Sequence, residues 1–74
     1  MTRPEMLNAL RADIDILAQA DESAALGSLP GWDSLAILLV VSHCEHVHDL
    51  EVNGSQIRGC RTVGDLLDLI QSLS

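Results

Sequence analysis

Residues 33–48 read DSLAILLVVSHCEHVH, and whether they form a strand or a helix decides the fold. The seven residues from Leu35 to Val41 are the longest apolar run in the chain, and their Ile-Leu-Leu-Val-Val centre is rich enough in β-branched residues to suit a buried strand. Against a strand stand the absence of other alternating segments and the lack of any Gly or Pro between Ser34 and His48. Asp33 also has the chemistry to cap a helix starting at Ser34. The segment is therefore expected to be a helix over 34–48. Because it is apolar nearly all round, it is either a buried central helix or one with an apolar face left open.

Toward the N-terminus, Thr2-Arg-Pro-Glu5 has the arrangement of a capping box with Pro4 in the first turn. Leu7, Leu10, Ile14 and Leu17 then recur at helical spacing, predicting an amphipathic helix to about Ala20. Residues 21–33 (DESAALGSLPGWD) mix breaker residues with Leu26, Leu29 and Trp32, which reads as a long ordered loop pinned to the core, with one short turn near 22–26. Trp32, the sole aromatic residue, is expected to hold this loop against the helix end.

Toward the C-terminus, 49–53 is a connector anchored by Leu50 and Val52. Gly54–Arg58 can hold one helical turn closed by Gly59, and Thr62 with Asp65 opens a last helix striped by Val63, Leu66, Leu67, Ile70 and Leu73. The whole reads as an all-α bundle occupying residues 1–74 as a single domain.

Composition narrows the function classes. The chain has 74 residues and a net charge of −7, and its four cations are all Arg. That is a poor endowment for binding a nucleic-acid backbone and a better one for basic protein partners. No apolar stretch approaches the roughly 20 residues of a membrane-spanning helix. The first residues lack the apolar core of a signal peptide, and Cys44 and Cys60 form no C-x-x-C pair, so a reduced cytoplasmic setting is expected. The two thiols are then expected to be small core hydrophobes, with a disulfide as the alternative.

Gly31-Trp32-Asp33-Ser34-Leu35 sets a serine at a loop-to-helix junction, where first-turn N–H groups and the helix dipole favour an anion on the hydroxyl. The plain alternative is that Asp33 or Ser34 is only an N-cap. In context, with Leu-Pro-Gly-Trp before Asp-Ser-Leu, a central helix, and Thr62-Val-Gly-Asp-Leu-Leu-Asp-Leu-Ile70 opening the last helix, the chain resembles the acyl carrier protein family of phosphopantetheine-binding carrier domains. The resemblance covers nearly the whole chain and runs without a gap from Asp33 to Ile70.

That resemblance implies a small four-helix bundle of three longer helices and one short one. It implies that Ser34 is esterified by 4′-phosphopantetheine, taken from coenzyme A by a phosphopantetheinyl transferase, with Asp33 orienting the site and Leu35 anchoring the start of the central helix. The arm then carries an acyl or aminoacyl thioester between loading, condensing or tailoring enzymes of fatty-acid, polyketide or nonribosomal-peptide biosynthesis. The protein itself catalyses nothing and is a monomer on this expectation.

Several positions depart from the family pattern. Ala36 and Leu39 stand where many members are acidic, although Asp33 and Glu45 remain; His48 stands where a large apolar residue is usual, and Cys60 at a usually apolar place. The docking face is accordingly expected around Ala36, Ile37, Leu39 and Glu45, with packing of Ile37 and Leu39 under the long loop or against another copy of the chain as the alternative. A second class of function, an unmodified helical interaction module binding through its apolar central helix, also fits the sequence. A hydrolase built on Ser34 lacks room for a triad and a pocket.

His43-Cys44-Glu45-His46-Val47-His48 gathers four potential His and Cys metal ligands in six residues. Helical spacing sends Cys44 and His48 inward and His43 and His46 outward, so two ligands fall on each face and no closed metal site is expected. His48 is expected to hydrogen-bond under the second loop.

Overall fold

Each helix begins on a side chain that satisfies the otherwise orphaned N–H groups of its first turn. In the computed structural model, which describes residues 1–74, four α-helices result: α1 (Arg3–Asp13), α2 (Ser34–His48), α3 (Gly54–Arg58) and α4 (Val63–Leu73). Thr2 and Glu5 close a reciprocal capping box at α1, Asn53 and Gln56 do so at α3, and Thr62 and Asp65 at α4. Asp33 caps α2. The molecule is a small all-helical bundle, and the segment 34–48 is the helix its flanking residues imply.

α1 is shorter than its periodicity predicts. It stops at Asp13 rather than near Ala20, because Ile14 turns extended (φ −120°, ψ 106°) and a 3-10 turn follows over Asp15–Leu17. The break frees the Asp13 carboxylate to meet His43, and Arg11 Nε donates to the Ala18 carbonyl at 3.1 Å. Ile14 and Leu17 stay buried, so the apolar stripe is delivered to the core by a bent path instead of a straight one.

The 21–33 loop is ordered by α4. The N–H groups of Val63 and Gly64 donate to the Ala24 and Glu22 carbonyls (3.1 and 2.8 Å), Leu26 N–H donates to the Arg61 carbonyl (2.9 Å), and Ala25 pairs with Thr62 in an isolated bridge. The early turn lies at Asp21–Ala24, closed by Asp21 on Ser23; a 3-10 turn follows at Leu26–Ser28. Trp32 N–H then donates to the Leu29 carbonyl at 3.1 Å with Gly31 at φ +82°. This is the geometry of a type II turn, whose third position favours glycine and whose second suits Pro30. Of the expected anchors Leu26 is buried, while Leu29 and Trp32 are half-buried and packed against the core.

Arg3 joins three parts of the molecule. Its guanidinium pairs with Glu22 in the loop and with Asp68 and Gln71 on α4 (2.7 Å each), and it donates to the Gly64 carbonyl at 3.1 Å. Hydrogen bonds to Glu22 and then Asp68 raise its pKa further.

α2 is two-sided. Ala36, Ile37, Val40, His43 and Cys44 form a buried stripe at heptad-like spacing, whereas Leu35, Leu38, Leu39 and Val47 are exposed. Both readings of this apolar helix are thus true of opposite faces. No helix is long and apolar enough to cross a membrane.

Candidate functional site

Asp33 builds the start of α2 with its carboxylate and its carbonyl. Its Oδ1 accepts from the Leu35 N–H at 3.0 Å and the Ala36 N–H at 3.1 Å, and its carbonyl accepts from Ile37 at 3.0 Å. Ser34 is thereby fixed as the first residue of the helix, exposed, at the positive end of a 15-residue dipole.

A cation stands beside it. Arg58, the last residue of α3, donates from Nη2 to Ser34 Oγ at 3.4 Å. The guanidinium of Arg58 is a donor and not a base, and it is the side chain hydrogen-bonded to the Ser34 hydroxyl. The arrangement suits a serine that receives an anionic ester, with the helix end and the guanidinium both favouring the negative charge.

The other expected site residues divide. Leu35 does not anchor the helix start: it is 66% exposed, its place next to the cap pointing it away from the core. Ala36 and Ile37 do not form an open docking face, being 0% and 8% exposed, because the buried stripe of α2 begins with them. Leu39 and Glu45 are exposed as expected, and Leu38, 61% exposed, completes an apolar patch with Leu35 and Leu39. Sequence reasoning passed over both Leu38 and Arg58. Leu38 was hidden in a run that is apolar on every side, and Arg58 meets Ser34 only through the fold, 24 positions apart.

The histidine run is arranged differently from the expectation. His43 is buried, not outward, because the end of α1 supplies the Asp13 carboxylate to its Nδ1 at 2.7 Å. His46 is exposed and shares a 3.2 Å contact with Ser42 Oγ. His48 is half-buried, and its Nε2 has no hydrogen-bonding partner, so the bond expected under the second loop is not made. Nowhere do three or more His, Cys, Asp or Glu side chains gather as a ligand set. Cys44 is buried and Cys60 half-buried, both as free thiols; burial, with Cys60 adding to it, pushes the Cys44 thiol up to about 11.

Two open surface grooves complete the relief, one of about 390 Å³ beside Ile16, Leu29 and Pro30 and one of about 400 Å³ between Glu45 and Gln56. Ser34 lines neither. Compared with known proteins, the chain matches no protein-family model, no curated protein and no solved structure.

Proposed function

We propose that the chain is a carrier protein whose Ser34 holds 4′-phosphopantetheine. The observation that carries this reading is the Ser34 hydroxyl, exposed at the first residue of α2 with Arg58 Nη2 3.4 Å away. A phosphodiester on this oxygen bears one negative charge, which the helix N-terminus and Arg58 both favour; a helix end alone contributes about 0.3–1 kcal/mol at an exposed site. Loading forms the bond from Ser34 Oγ to phosphorus and breaks the pyrophosphate bond of coenzyme A. Adenosine bisphosphate leaves, and the hydroxyl proton goes to a base on the phosphopantetheinyl transferase. The arm supplies a terminal thiol on which acyl or aminoacyl groups ride as thioesters.

On this reading the chain's own residues display and position. Asp33 holds the first turn, Arg58 faces the phosphate, and Leu35, Leu38 and Leu39 with Glu45 at their edge meet the loading, condensing or tailoring enzymes of fatty-acid, polyketide or nonribosomal-peptide biosynthesis. Its acyl-carrier-like fold rests on the motif order from Asp33 to Ile70 together with the four capped helices.

The exposure of Leu35, Leu38 and Leu39 also favours a second reading, an unmodified helical module that binds a protein partner through this patch. Incubation with coenzyme A and a promiscuous phosphopantetheinyl transferase separates the two. The wild type gains the mass of one arm and Ser34→Ala gains none; a wild type left unmodified, under conditions that load other carriers, gives the second reading its place.

A further inference from the structure

Two buried imidazole nitrogens in this molecule have no partner. His43 Nδ1 is held by Asp13 Oδ2 at 2.7 Å, and its Nε2 is buried with nothing to bond. His48 presents a second buried Nε2 in the same condition, with its ring edge-on to that of His43 at a centroid distance of 5.5 Å and an interplanar angle of 67°.

The cost of this arrangement depends on protons. A neutral imidazole leaves one nitrogen unsatisfied, whereas an imidazolium must bury a charge and leave a donor without an acceptor, which costs far more. Asp13 on α1 is engaged by His43 Nδ1, not by His48. A proton on His48 faces His43 on its own helix and the like charge of the Met1 ammonium beside α1. Asp49 and Glu51 on the following connector are exposed, and the Cys44 and Cys60 thiols stay uncharged in the imidazole range.

His48 has an exit that His43 lacks. It is the last residue of α2, followed by Asp49 in the left-handed conformation (φ 54°), and it is half-buried where His43 is 2% exposed. Outside its seat a charged ring meets water and the negative end of the helix dipole, both favourable to a cation.

We propose that His48 is a proton-driven switch at the joint between α2 and the Asp49–Asn53 connector: uncharged, its ring is seated edge-on against His43; charged, it leaves for solvent and the joint loosens. The inference is independent of the role of Ser34. Burial first, then His43, then the N-terminal ammonium lower the His48 pKa from 6.5 in the folded chain. The folded state therefore resists a proton that the unfolded chain accepts. The stability held by the seated ring is complete above about pH 6.5 and is lost as pH falls through that value toward the lower folded pKa.

The test compares wild type with His48→Phe, whose ring keeps the edge-on contact and takes no proton. Between about pH 7.5 and about pH 5, the wild-type Tm falls, and that of His48→Phe falls by no more than about half as much. In the wild type, the His48 ring proton titrates below about pH 6.5, and the Leu50 and Val52 methyl resonances move with the same midpoint. Equal Tm losses in the two proteins, or a His48 midpoint at or above about 6.5, overturn the proposal. Should His48→Phe not fold, the wild-type titration decides alone.

Discussion

Ser34 is available because Asp33 does the structural work beside it. One carboxylate oxygen of Asp33 satisfies two backbone donors, so removing it in Asp33→Ala leaves the first turn of α2 open. The expected loss is about 0.5–2 kcal/mol, read as a lower urea midpoint at unchanged m. Ser34→Ala, by contrast, removes an exposed hydroxyl and is expected to stay within about 0.5 kcal/mol of wild type. A midpoint for Asp33→Ala equal to that of Ser34→Ala would contradict the cap's role. The Asp33-Ser34 pair is legible in the sequence because a cap acts over two or three residues. Arg58 is not, because nothing local in Gly54–Arg58 says which helix its last residue reaches.

At the scale of elements, α2 has two faces of the same composition and opposite fates. Its length and ends follow from Asp33 and the unbroken run to His48, but its orientation does not. A 3.6-residue period marks a core face only when the other face is polar, and here Leu38 and Leu39 are as apolar as Ile37 and Val40. α4 is the clearer case: Thr62 and Asp65 mark its start, and Leu66, Leu67 and Ile70 are buried as their spacing requires. The end of α1 is hidden for a third reason, since the contact made at its break, Asp13 with His43, joins residues 30 apart. Leu67→Ala, at a position with no exposure, is expected to cost about 2–5 kcal/mol. Leu39→Glu is expected to leave the urea midpoint nearly unchanged and, on the carrier reading, to lower turnover by an enzyme that acts on the loaded chain. Large destabilisation by Leu39→Glu would mean that this face is packed; unchanged turnover with the fold intact would end the docking role proposed for it.

Across the whole molecule, the charge of −7 is unevenly used. Three carboxylates sit below their ordinary pKa range because the fold gives them hydrogen bonds: Glu5 from the N–H and then the hydroxyl of Thr2, Asp21 from the hydroxyl and then the N–H of Ser23, and Asp65 from the N–H groups of Arg61 and then Thr62. Each binds a proton less readily folded than unfolded, so each contributes stability that is present above about pH 4 and lost as pH falls through the depressed values. Urea midpoints are therefore expected to drop below about pH 4, modestly because all three groups lie at the surface; a flat profile there would contradict the capping boxes as stabilising contacts. On the long face of α2 only Glu45 is acidic, and the cation Arg58 lies at Ser34. On the carrier reading the overall charge is thus a weaker guide to partners than the exposed Leu35, Leu38 and Leu39 near that serine. The most direct test of the carrier reading is peptide mapping of the protein after incubation with coenzyme A and a promiscuous phosphopantetheinyl transferase. A single phosphopantetheine group is expected on the peptide containing Ser34; no group, or one on Ser28 or Ser42 instead, would contradict the carrier reading.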